Sequence, residues 1–156
     1  MEALRALFQD YRFTLGFTFL SALVILAFLS FFSPYDPVEW LQVPRDMPPS
    51  WPHILGTNSK GQDVFWEATF AVRNSLIIAF VAALLSRIIA TVVGLLAGYK
   101  GGIADQILMF LTDGILVLPL VMMLILVASI MKGQLSLIGL SILLAFFGWP
   151  WDARTI

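Results

Sequence analysis

The chain has 156 residues, about one domain by the usual relation of length to domain count. Apolar residues make up 60% of it and charged residues 12%, against typical values of about 45–50% and about 25%, which excludes disorder and argues against a water-soluble monomer. A formal net charge of −1 without any Lys/Arg run leaves no footprint for nucleic acid, and zero cysteines exclude a disulfide framework or a Cys-based zinc or iron–sulfur site.

A short head, residues 1–12, carries Arg5 and Arg12. The first apolar run follows at 13–32 without a charge. It reads as a retained anchor, because Leu29-Ser30-Phe31-Phe32-Ser33 offers no small-x-small cleavage site. The stretch 33–74 is a different material. It holds six of the eight prolines, at 34, 37, 44, 48, 49 and 52, together with Asp36, Glu39, Asp46, Asp63 and Glu67. Proline donates no backbone hydrogen bond and fixes φ, so this is expected to be an extracytoplasmic loop, ordered by contact or extended, rather than a regular domain. Its lone histidine, His53, has no His or Cys companion and reads as a solvent-facing loop residue, not a metal ligand.

Three further runs are expected at 75–98, interrupted only by Arg87, at 107–131, carrying Asp113 and Pro119, and at 135–151. Turns at 99–106 and 132–134 join them. A helix needs about 20 residues to cross a bilayer, and in lipid every backbone polar group must be satisfied within its own segment. The fold class is therefore an all-α membrane protein with four transmembrane helices. With the N-terminus cytoplasmic, Arg5, Arg12, Lys100 and Arg154 lie inside, and Arg45, Lys60, Arg73 and Lys132 outside. The count is a tie. The inside charges sit in short segments while three of the outside ones are spread along the long loop, which favours a cytoplasmic N-terminus.

Three features of the spans are candidates for function. Ala82, Ser86, Ala90, Gly94 and Gly98 form a ladder of small residues at four-residue spacing, which lets another helix approach closely. Packing within the chain is the plainer reading and a partner interface the sharper one. Arg87 and Asp113 are the intramembrane charges. Counted from the turn, they stand about 18 Å and about 12 Å up their helices at about 1.5 Å per residue, close enough for an ion pair or a shared polar cavity. Separate snorkelling is the competing reading. Pro119 should kink the third span.

Enzyme signatures are missing. The segment from Gly56 to Gly61 has the outer spacing of a phosphate-binding loop, but Gln62 and Asp63 stand where Lys and Ser/Thr are required. There is no G-x-S-x-G and no H-E-x-x-H. The chain is not expected to be an enzyme or to hold a cofactor or metal.

The run His53-Ile54-Leu55-Gly56-Thr57-Asn58-Ser59-Lys60-Gly61-Gln62-Asp63-Val64 resembles the "H-x-L-G-T-D-x-x-G-R-D-V" segment of the inner-membrane permease subunits of peptide/nickel-type ABC importers. Ala71-Val72-Arg73-Asn74-Ser75-Leu76 is similar to that family's "A-R-x-S-L". Gly94-Leu95-Leu96-Ala97-Gly98-Tyr99-Lys100-Gly101-Gly102 is similar to its "G-x-x-A-G-Y-x-G-G" turn, followed by Asp105, Leu111-Thr112-Asp113 and Pro119. Gly148-Trp149-Pro150-Trp151-Asp152-Ala153-Arg154 resembles the end of the helix before the family's cytoplasmic coupling loop. The matches run in order over about two thirds of the chain.

The resemblance implies the first part of a type I importer transmembrane domain. It also implies a second permease subunit forming a heterodimer, cytoplasmic ATPase subunits, an extracytoplasmic solute-binding protein, and a bacterial or archaeal cell membrane. Peptides are the implied cargo, with oligosaccharides or metal chelates as variants, and alternating access the implied mechanism. Tyr99, Lys100, Gly101 and Gly102 are a candidate cytoplasmic contact for an ATPase, against the plainer reading of a tight turn. Asn58 and Gln62 depart from the family's Asp and Arg. Because family members continue through a coupling loop and two more helices, residues 152–156 read as the start of that region and the chain as an N-terminal piece of a longer permease. The rival from another class is a small four-helix structural or channel subunit of a membrane complex.

Overall fold

A computed structural model describes residues 10–131 and 134–155. Residues 1–9 of the head, with Arg5, the turn residues 132 and 133, with Lys132, and Ile156 lie outside the described residues, and so do the expectations placed on them. Five α-helices are found among the described residues: α1 (Tyr11–Leu29), α2 (Val64–Lys100), α3 (Gly102–Leu116), α4 (Leu120–Ile130) and α5 (Leu137–Ala153). A 3-10 turn, Ser30–Phe32, prolongs α1, and no strand occurs among the described residues. Two compact units divide the chain, Met1–Leu76 and Ile77–Ile156.

In the first unit, Asp10 caps α1 by accepting from Arg12 N at 2.9 Å. Most α1 side chains are exposed, and the helix with its 3-10 turn is long and apolar enough to cross a membrane. At its end Phe31 and, from α2, Phe70 lie under the guanidinium of Arg73, at 5.3 and 4.8 Å from the ring centres. Arginine gains from aromatic faces when desolvated, which ties the start of α2 to the end of α1.

Of the two alternatives for the proline-rich loop, ordered by contact or extended, the structure shows a loop held by contacts. Leu41 N donates to Lys60 O at 2.9 Å, Val43 N to Gly61 O at 3.2 Å, and Thr57 N to Met47 O at 3.1 Å. The Thr57 hydroxyl donates to Pro44 O at 2.6 Å and accepts from Met47 N at 2.9 Å. Prolines thus serve as acceptors where they cannot donate. Gly56 and Gly61 have φ of 76° and 72°, and a Cβ at Gly61 would stand 2.8 Å from Val43 O. Only glycine fits there.

The loop is shorter than expected and the second helix longer. Residues 64–74 are helical, not loop, and α2 runs 37 residues without interruption. The reason is local: between Pro52 and Gly101 no proline interrupts the chain, and Asp63 supplies the cap. At about 1.5 Å per residue α2 is roughly 55 Å long, well beyond a bilayer core of about 30 Å.

In the second unit the turn after α2 is a single residue. Gly101 has φ 59° and ψ −166°, and Gly102, with φ 56°, already begins α3. The expected span at 107–131 is two helices. α3 stops at Leu116, α4 begins at Leu120, and their axes differ by 75°. Pro119 is the N-cap residue of α4, so the chain breaks where the sequence predicted a kink. Together α3 and α4 are apolar enough for one broken span, which gives two to three membrane-crossing elements. α5 is apolar but has 17 residues. Ser136 caps it by accepting from Gly139 N at 3.1 Å.

Candidate functional site

The core of the second unit is a seam of small residues around one large one, Trp149. Ala90, Trp149 and Ala153 are buried together, with Val93 and Ile115 packed against them. Ser86 faces Gly148 so closely that a Cβ there would meet the Ser86 hydroxyl at 3.4 Å. Thr112 on α3 and Ser141 on α5 are fully buried, each hydroxyl donating to the carbonyl four residues back at 2.8 Å. Satisfied in this way, small polar residues permit close helix approach without an orphaned donor.

The predicted ladder meets this seam only through its middle. Ser86, Ala90 and Gly94 are buried, Ala82 is half-buried, and Gly98 is exposed with nothing near its Cβ position. Ala97 is buried in place of Gly98. Each four-residue step advances about 40° around a helix of 3.6 residues per turn, so Gly98 is rotated by roughly 160° from Ala82.

The charges at the C-terminal end of α5 complete the site. The expected ion pair between Arg87 and Asp113 is not formed. Arg87 lies 3.6 Å from the carboxylate of Asp152, and the Asp113 carboxylate is in ion-pair contact with Arg154. Helical geometry explains the exchange. Residues two apart in a helix point about 200° from one another, so Asp152 and Arg154 reach opposite sides of the α5 end, one to α2 and one to α3. Sequence reasoning had both residues in hand as the end of the fourth span and missed their role. The available signal was the opposite charges of Asp152 and Arg154 at a helix end, facing one unpaired intramembrane charge of each sign. Next to this cluster, a cavity of about 300 Å³ opens at the α3–α4 break, walled by Ile115, Leu116, Leu118, Phe147 and Trp151.

The remaining candidates fall elsewhere. Tyr99 and Lys100 close the last turn of α2 and are exposed, and Gly101 and Gly102 make the turn by their positive φ. Neither glycine has an atom near its Cβ position within this chain, so their positive φ rather than crowding calls for glycine.

In the first unit the loop builds a second polar cluster. His53 is not solvent-facing. Its side chain is 12% exposed, with Nδ1 2.7 Å from Asp63 Oδ2, while Asp63 Oδ1 accepts from Phe65 N and Trp66 N at 2.9 and 3.2 Å. One carboxylate thus caps α2 and holds the loop. Asn58 and Gln62, the two departures from the family pattern, bind each other at 3.2 Å. Gln62 also donates to Pro37 O and Glu39 O, each at 3.2 Å. Among the described residues no three His, Asp or Glu side chains gather as metal ligands.

No family model matches the chain. The oligopeptide transport system permease protein OppC of Mycobacterium tuberculosis (strain ATCC 25618 / H37Rv) is 36% identical over 109 residues, 70% of this chain and 38% of that protein. The dipeptide transport system permease protein DppC of Bacillus subtilis (strain 168) is 32% identical over 156 residues, 99% of this chain and 48% of that protein. The DppC of Haemophilus influenzae is 30% identical over 135 residues, 82% of this chain and 46% of that protein. The chain is a homologue of peptide-transport permease proteins. It spans less than half the length of these curated relatives. With helices long and apolar enough to cross a bilayer, this permease homologue is a protein of the cell membrane.

Proposed function

We propose that the chain is the membrane-embedded part of a permease subunit in an ATP-driven, binding-protein-dependent peptide importer. The observation that carries the reading is homology to an OppC over 70% of the chain and to a DppC over 99% of it. The helices agree with it: small-residue packing, a broken span beside a cavity, and a charge cluster reached by three helices. Four crossings would add the apolar 17-residue α5 to the two to three apolar spans, and the spread of Lys and Arg among the loops favours the N-terminus inside. The cargo is a peptide, as the names of the relatives suggest, rather than an oligosaccharide. Hydrolysis belongs to separate ATPase subunits. This chain contributes scaffold and pathway wall alongside a second permease, and an external binding protein delivers the peptide. Movement is alternating access, in which helices rock about breaks such as the one at Pro119.

The test is uptake of a labelled tripeptide by cells with and without the gene. Uptake that is lost with the gene, stops on ATP depletion and survives a proton ionophore is the expected result. Uptake that persists without the gene, or follows the proton gradient, contradicts the proposal.

A further inference from the structure

Two ion pairs meet at the end of α5. Both remaining partners, Asp152 and Arg154, sit on one helix end, and each binds a different helix. Their contacts lie far from the connecting turn. Arg87 is 13 residues before Lys100 and Asp113 is 11 after Gly102, which places them roughly 20 Å and 16 Å from the turn along their helices. The seam formed by Ser86, Ala90, Gly148 and Trp149 packs the same helices immediately beside them. α4, by contrast, buries none of its residues and departs at 75°.

We propose that Asp152 and Arg154 are positioning residues that tie the end of α5 to α2 and α3, so that these three helices travel as one body during transport. Dispersion contacts along the seam are not directional and by themselves do not fix where the charged helix end sits against its neighbours. Two ion pairs on opposite sides of one helix end resist both rotation and translation of that helix. The four side chains are 32–63% exposed within this chain, so the pairs are not buried in its core. Their use is registry. This inference rests on the ATP-driven reading, since it concerns how movement is shared among helices.

The experiment uses the permease complex purified from its own membrane and placed in lipid vesicles, with peptide uptake and ATP hydrolysis measured in the same sample. The single reversals Asp152→Arg and Arg154→Asp are expected to lower uptake per ATP hydrolysed roughly tenfold. The double exchanges Arg87→Asp/Asp152→Arg and Asp113→Arg/Arg154→Asp are expected to restore most of that ratio. A role in stability alone changes the yield of complex and lowers both activities together, leaving the ratio untouched. That result, or double exchanges that restore yield but not ratio, overturns the proposal. Should the reversals fail to assemble, a second measurement decides. The chain has no cysteine, so spin labels at Phe110→Cys on α3 and Trp151→Cys on α5, both exposed positions, report the distance between the helices. It is expected to stay constant on ATP binding; a change of about one helical turn, roughly 5 Å, overturns the proposal. That distance is read whether or not peptide is moved, so failure of the transport reading and failure of the one-body inference are separable.

Discussion

At the residue scale, the largest share of structural work falls to a few polar side chains and two glycines. Asp63 binds two backbone N–H groups at the start of α2 and the ring of His53. Asp63→Ala is expected to cost about 2–4 kcal/mol, combining a lost helix cap with a stranded partner. Thermal unfolding in detergent, with limited proteolysis of the loop, measures it; His53→Ala is expected to cost less, since the cap survives. Gly101 adopts φ 59° with ψ −166°, a region closed to side chains, so Gly101→Ala should cost about 1–3 kcal/mol although no atom is near the added methyl. The same unfolding assay reads it. How much of this was legible differs by residue. The turn is legible from its paired glycines, whereas the Asp63 cap is not, because the residues after it read as loop. Nor is the His53 contact, because it joins positions ten apart through a loop with no period.

At the element scale, hydrophobic runs located the spans but not their ends or breaks. Composition located α1 within a few residues, because it is an uncharged run bounded by a polar cap. It missed the first turns of α2, because Phe65, Trp66 and Phe70 are interleaved with Glu67 and Thr69 and read as loop beside so many prolines. Pro119 predicts a kink, but proline alone does not fix its angle, here 75°. Pro119→Ala restores one N–H and removes a steric block, so it is expected to narrow the bend. Spin labels on α3 and α4 should move apart along a straighter path, and an unchanged distance would show that packing, not proline, sets the angle. At the seam, Ala90→Leu introduces three heavy atoms at a position with no exposed surface. Overpacking of this kind is expected to cost about 1–3 kcal/mol or to prevent assembly, with Ala82→Leu, half-buried, far milder. Purified yield and melting temperature compare the two.

At the scale of the whole molecule, charge placement organises the account. An uncommon Arg and Asp within apolar spans demand partners, and those partners turn out to lie on the helix end that the sequence reading had treated only as a boundary. The same scale carries the topology. With no native cysteine, single cysteines at the exposed positions Trp51 and Tyr99 should react with a membrane-impermeant thiol reagent from outside and from inside, respectively. The reverse pattern would invert the orientation and move the Gly101 turn away from any cytoplasmic ATPase.

The central claim is that this chain belongs to the moving part of an ATP-driven peptide importer. Its most direct test is peptide accumulation in vesicles holding the complex purified from its native membrane, with the binding protein outside and ATP supplied to the ATPase face. The account predicts that a labelled tripeptide accumulates against its gradient only when ATP and binding protein are both present, and that a proton ionophore leaves this unchanged. Accumulation without ATP, or a complex that hydrolyses no ATP and moves no peptide, would contradict it.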